Sequence, residues 1–179
     1  MKRIRIAISS CLLGQRVRYD GAHKHNPHIT ETLGQFFEFV PFCPEVASGR
    51  GVPRPPIRLV AGTHGIRARG VKDASMDVTD RLNAYAETVV PQLRDVSGYV
   101  LKKDSPSCGM GGVKVYDAQE QPSGNAAGIY AGRLLTQLPQ LPFEEDERLM
   151  DPRLCEDFIQ RVFAYHRWQQ GNGRIENKT

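Results

Sequence analysis

Lys102-Lys103-Asp104-Ser105-Pro106-Ser107-Cys108-Gly109-Met110-Gly111-Gly112 comes directly after the short apolar run Gly98-Tyr99-Val100-Leu101. The run reads as a buried strand, and the stretch after it reads as a turn. Its proline, serines and cysteine lead into Gly109, Gly111 and Gly112. Backbone N–H groups in such a turn can face a bound anion or a sulfide-rich cluster with no Cβ in the way. One cysteine so placed carries little meaning. Two more occupy the same kind of place: Cys11 after Ile4-Arg5-Ile6-Ala7-Ile8, and Cys43 after Phe39-Val40-Pro41-Phe42. Each stands just past an apolar segment, so the three are expected to meet at one edge of a sheet.

Outward from this stretch, strand-like and helix-like patterns alternate. Ile4, Ile6 and Ile8 suggest a first strand; Ile29 to Gly34 suggests a short helix, and Phe36 to Phe42 a second strand. Pro44 after Cys43 can open a helix at its first turn. Gly49 to Pro56 is too rich in proline and glycine for a helix or a central strand. Ile57–Val60 and Ile66–Val71 read as short peripheral strands around a Gly62–Gly65 turn. Thr79 opens an amphipathic helix with Leu82, Tyr85, Ala86, Val89, Val90 and Leu93 on one face. Val113–Tyr116 is a further strand, Gln119–Gly124 a polar loop, Ala126–Gln137 a helix, and Leu141-Pro142-Phe143 a last edge strand. Pro152 begins the final helix, whose apolar stripe includes Cys155, which reads as a core thiol. The predicted fold is α/β: one domain over residues 1–170, three-layered, with a mostly parallel sheet flanked by helices (Rossmann-like), and a polar, flexible tail over 171–179.

A chain of 179 residues can bury a sizeable core without staples. Its formal charge of +4 is spread along the sequence without an aromatic-interleaved basic block, so a nucleic-acid surface is not expected. No apolar run approaches a membrane span, and Met1-Lys2-Arg3 precedes no signal-peptide core. A cytoplasmic location is therefore expected. In a reducing compartment, four cysteines read as core, metal or catalytic residues rather than as a disulfide framework. The patch His23, Lys24, His25 and His28 reads as an exposed loop, since no carboxylate or cysteine accompanies it at ligand spacing.

Ligands of open α/β sheets bind beyond the carboxyl ends of the strands. Cys11, Cys43 and Cys108 are each placed to reach that crevice. Three thiolates there would suit zinc with an open position or an iron–sulfur cluster. The missing Cys-x-x-Cys spacing weakens zinc. Spacing alone leaves a metal centre and three ordinary buried thiols both open.

The wording of the motifs goes further. Ser10-Cys11-Leu12-Leu13-Gly14, Arg18-Tyr19-Asp20-Gly21 with Lys24, Cys43-Pro44-Glu45 with Gly49 and Pro53-Arg54-Pro55-Pro56, and Ser105-Pro106-Ser107-Cys108-Gly109 together resemble the thiouracil desulfurase family over roughly residues 4–135. The resemblance implies a 4Fe-4S cluster held by Cys11, Cys43 and Cys108, with one open iron that binds the substrate sulfur. It also implies an enzyme that converts a small thiolated pyrimidine base or nucleoside to the oxo form and releases sulfide.

Exchanging C=S for C=O with water changes no oxidation state, and no nucleotide-cofactor motif occurs. The attack does need proton transfers. Glu45 is the candidate acid/base, and Ser105 and Ser107 are candidates to hold the base or the water. Asp20, Lys24 and Arg54 are candidates for substrate contact. Two alternatives from other classes stand beside this reading: a zinc- or redox-sensing thiolate protein, and a desulfurase of thiolated tRNA.

Overall fold

The structure is a computed structural model that describes residues 3–172. Four strands, β1 (Ile4–Ser9), β2 (Phe37–Phe42), β5 (Tyr99–Leu101) and β8 (Phe143–Glu145), form a parallel sheet in the order β2–β1–β5–β8. Side chains alternate across it. Ile6, Ile8 and Val100 face one way, and Ala7, Tyr99 and Leu101 the other. The first face is covered by α1 (Pro27–Leu33) and α4 (Pro152–Asn172), through Ile29, Leu33, Phe158 and Val162. The second is covered by α2 (Thr79–Val89) and α3 (Ile129–Gln137), through Ala86, Val89, Tyr130 and Leu134. Burial on both faces is what parallel strands require. Each fully buried Leu, Ile or Phe contributes about 1.5–3 kcal/mol, so these two cores, rather than surface ion pairs worth ~0–1 kcal/mol each, hold the layers together. Contact with α4 is close at Gly98, where a Cβ would stand 2.7 Å from Val162 Cγ2.

The mostly parallel, helix-flanked sheet expected from the sequence is this one. A second sheet lies outside that expectation. It joins β3 (Ile57–Gly62), β4 (Gly65–Gly70), β6 (Val113–Tyr116) and β7 (Pro122–Ala126) in the order β4–β3–β6–β7. The peripheral pair β3–β4 is an antiparallel hairpin, and β3 runs parallel to β6. Leu59, Ala68, Val113 and Val115 bury against Val78 and Leu82, so α2 serves both sheets.

Several boundaries differ from the sequence reading. Residues 122–126 form strand β7, where a polar loop and then a helix from Ala126 were predicted; the helix starts at Ile129. Pro122-Ser123-Gly124-Asn125-Ala126 has no apolar alternation and becomes a strand only through its pairing with β6. The last strand starts at Phe143, after Pro142, and carries Glu144 and Glu145. Pro44 does open a helical turn, but the turn is short and irregular: it continues through Val46–Arg50 and is interrupted at Gly49 with φ 82°. The final helix runs on through Gly171 to Asn172; the rest of the predicted tail, 173–179, lies outside the described residues. Cys155 is buried beside Phe158 and Ile159 in the α4 core. Among the described residues, no helix is long and apolar enough to cross a membrane.

Candidate active site

Cys11, Cys43 and Cys108 stand past the carboxyl ends of β1, β2 and β5, three neighbouring strands of the parallel sheet. The chain leaves β1 toward β2 on one side and reaches β5 on the other, so the crevice opens where strand order reverses. A cavity of about 510 Å³ lies there, and all three cysteines line it. Cys11 and Cys108 are buried, Cys43 half-buried, and none is in a disulfide. Burial pushes the Cys11 thiol up to about 11, with Cys43 adding to it. Cys108 is driven well above the ordinary thiol range by burial first, then by Cys43 and Cys11. Cys43 is raised by burial too. Thiols that oppose one another's ionisation in this way are stabilised as thiolates by cationic charge among them. Among the described residues, no three Cys, His, Asp or Glu side chains stand close enough to share a single metal ion.

The Cys108 turn is held from three sides. Ser105 Oγ accepts from the Ser107 and Cys108 N–H groups at 3.2 and 3.0 Å. The N–H groups that open α3, which have no acceptor within the helix, donate back to the turn: Gly128 to Gly109 O at 2.8 Å, Ile129 to Pro106 O at 3.0 Å, and Ala131 to Ser107 O at 3.0 Å. Gly128 permits this approach, because a Cβ there would sit 2.5 Å from the Ser107 carbonyl carbon. On the other side, the acids that end β8 reach in. Asp146 accepts from the Lys103 N–H at 2.8 Å and from Lys102 Nζ at 2.7 Å, while Glu145 accepts from the Met110 N–H at 2.8 Å. Ser9 Oγ accepts from the Lys102 N–H at 3.0 Å, tying β1 to the same segment.

Glu45 lines the cavity with a fixed carboxylate. Its Oε2 accepts from Arg54 Nε at 2.7 Å and Arg50 Nη1 at 3.0 Å, and its Oε1 from Ser107 Oγ at 3.0 Å. Both guanidinium side chains are only 4% exposed. Arg54 also donates to Gly51 O at 2.9 Å. Ser105 and Lys24 line the cavity; Asp20 does not. Asp20 sits at the exposed turn, where its Oδ1 accepts from the Ala22 N–H, and that hydrogen bond holds its carboxyl below the usual range. His23, His25 and His28 remain on the surface.

The 2-thiouracil desulfurase family model matches residues 6–146. The chain belongs to that family. Its matched span includes most of β1, all three cysteine turns, Glu45 and the β8 acids. Among solved structures, this desulfurase-family chain is similar to a protein described as the 4Fe-4S-dependent thiouracil desulfidase TudS. The two are 28% identical with a TM-score of 0.66, over 88% of this chain and 99% of that one. It is also similar to the uncharacterized protein YbbK of Bacillus subtilis, at 32% identity over 112 residues, 59% of this chain and 74% of the relative.

Sequence reasoning passed over Arg50, Lys102 and the acids of β8. Arg50 had a signal in hindsight: it lies on the same Gly/Pro-rich loop as Arg54, downstream of an acidic residue. Glu144-Glu145-Asp146 carries the opposite signal, since a run of acids reads as surface. Here all three are buried, with Arg148 and Arg161 on Glu144.

Proposed function

We propose that this protein is a cluster-dependent, non-redox desulfurase that converts a thiolated pyrimidine base, of the 2-thiouracil kind, to the oxo base and sulfide. The observation that carries this is the convergence of Cys11, Cys43 and Cys108 from three adjacent strand ends on one cavity that also holds Glu45. The cofactor named for the TudS neighbour supports it. Cys11, Cys43 and Cys108 would hold a 4Fe-4S cluster, and three protein ligands leave one iron open. When bound, that group supplies a Lewis acid with affinity for sulfur.

The chain's own residues supply the rest. Two guanidiniums occupy Glu45 Oε2, so proton traffic is assigned to Oε1, which Ser107 orients. A water held against Oε1 can give up a proton as its oxygen attacks the thiocarbonyl carbon, and the proton then leaves with the sulfur. Ser105 Oγ is engaged as an acceptor by two backbone N–H groups and keeps its own hydroxyl proton to donate to substrate or water. Arg54 is a positioning residue acting through Glu45, and Lys24 offers a cation at the cavity wall. Asp20 serves the turn that presents this loop. Residues 1–170 act as one unit in this account, a reading supported by α2, whose apolar face is shared by both sheets.

The test is incubation of anaerobically prepared protein with 2-thiouracil and no reductant. Equal amounts of uracil and sulfide are expected. Turnover only with added reductant, or none by cluster-loaded protein, contradicts the proposal.

A further inference from the structure

We propose that Tyr19 is the stacking face for the flat heterocycle of the substrate, which makes it a specificity-determining residue of this site. The proposal rests on the desulfurase reading above. Of the large apolar side chains exposed among the described residues, Tyr19 alone lines the cavity, and it is 41% exposed. Phe42, the other aromatic side chain there, is committed to the core against Tyr99, with centroids 5.9 Å apart. Tyr19 takes no aromatic partner among the described residues. It does have the Arg18 guanidinium, 5.5 Å from the ring centroid. Arg18 lines the cavity as well, and its cation against the ring helps hold the ring in place, while the lack of an aromatic partner keeps ring surface for a ligand.

The ring is also anchored to the catalytic groups. Its backbone carbonyl accepts from the Arg54 N–H at 2.8 Å, and Arg54 grips Glu45. The Lys24 N–H donates to Cys11 O at 2.9 Å, fastening the same loop to the first cysteine turn. A planar thiopyrimidine gains from such a face; an acyclic thioamide does not. Tyr19 thus selects heteroaromatic thiocarbonyls over open-chain ones.

The experiment compares wild type, Tyr19→Ala and Tyr19→Phe as cluster-loaded proteins matched in iron content. It reads uracil binding by calorimetry, and kcat and KM for 2-thiouracil and for thioacetamide. Losing an aromatic platform weakens base binding roughly 5- to 150-fold. Tyr19→Ala should show that loss in uracil affinity and in KM for thiouracil, with kcat and thioacetamide turnover little changed. Tyr19→Phe should resemble wild type. Unchanged uracil binding by Tyr19→Ala, or an equal loss in Tyr19→Phe, overturns the stacking role. Wild type that binds uracil through Tyr19 yet releases no sulfide from thiouracil overturns the desulfurase reading instead.

Discussion

Ser107 Oγ donates to Glu45 Oε1 at 3.0 Å, joining residues that are 62 positions apart in the chain. Ser107 is fully buried and is the immediate neighbour of Cys108. The bond therefore sets the carboxylate of one cysteine turn against the buried serine hydroxyl of another, and it engages Oε1 while Arg50 and Arg54 occupy Oε2.

Glu45→Gln keeps the shape of the side chain and removes the proposed base. Proton transfer by a placed group is worth about 10²–10⁴-fold, so sulfide release should fall by roughly 100-fold or more. Iron content and visible absorbance should stay near wild type. Turnover within a few-fold of wild type would remove Glu45 from the chemistry.

Asp146 should matter to stability as well as to the site. Its side chain is 7% exposed and takes both Lys102 Nζ and the Lys103 N–H. Removing one partner of a buried pair costs about 3–5 kcal/mol. Lys102 is 17% exposed, which places Asp146→Ala toward the lower end, near ~3 kcal/mol, in urea denaturation. Asp146→Asn can still accept from Lys103 and should lose less.

Gly128→Ala puts a Cβ into the Ser107 carbonyl, whereas at Gly112 a Cβ would meet nothing within 4 Å. Overpacking of this kind costs about 1–3 kcal/mol. Gly128→Ala should lower Tm and weaken retention of iron, because the clash falls on the residue next to Cys108. Gly112→Ala should do neither; equal effects at the two positions would separate the α3 contact from the integrity of the turn.

Asp77 gives the pH dependence a sign. Burial disfavours its charge, but hydrogen bonds from Arg67, Thr79 and Arg69 outweigh that and hold its carboxyl well below the usual range. A lowered folded-state pKa gives stability that is fully present above the unfolded value, about 3.9, and is lost as pH falls through the folded one. The stability difference between wild type and Asp77→Asn should therefore be constant near neutrality and shrink below about pH 4. A difference that grew on acidification would contradict the assignment.

The parts of the fold legible in the sequence are those that local chemistry decides. Apolar runs ending in Cys11, Cys43 and Cys108 marked strand ends, and the face from Leu82 to Val89 marked α2, because periodicity reports burial directly. β7 was not legible: Pro122 to Ala126 is held by its ladder with β6, and its own side chains carry no strand signal. The clamp on Glu45 was half legible. Arg54 stood out on its proline loop, but Arg50 reaches the same oxygen only through the loop's path in three dimensions. The buried acids ending β8 read as surface until their partners, Lys102, Arg148 and Arg161, are in view.

The central claim, that Cys11, Cys43 and Cys108 together hold one iron–sulfur centre, is tested most directly by iron and acid-labile sulfide per chain after anaerobic reconstitution. Wild type and Cys155→Ser should each carry about four of both, as a 4Fe-4S cluster requires, and Cys108→Ser should retain far less. Full loading of Cys108→Ser, or loss of the cluster in Cys155→Ser, would contradict it.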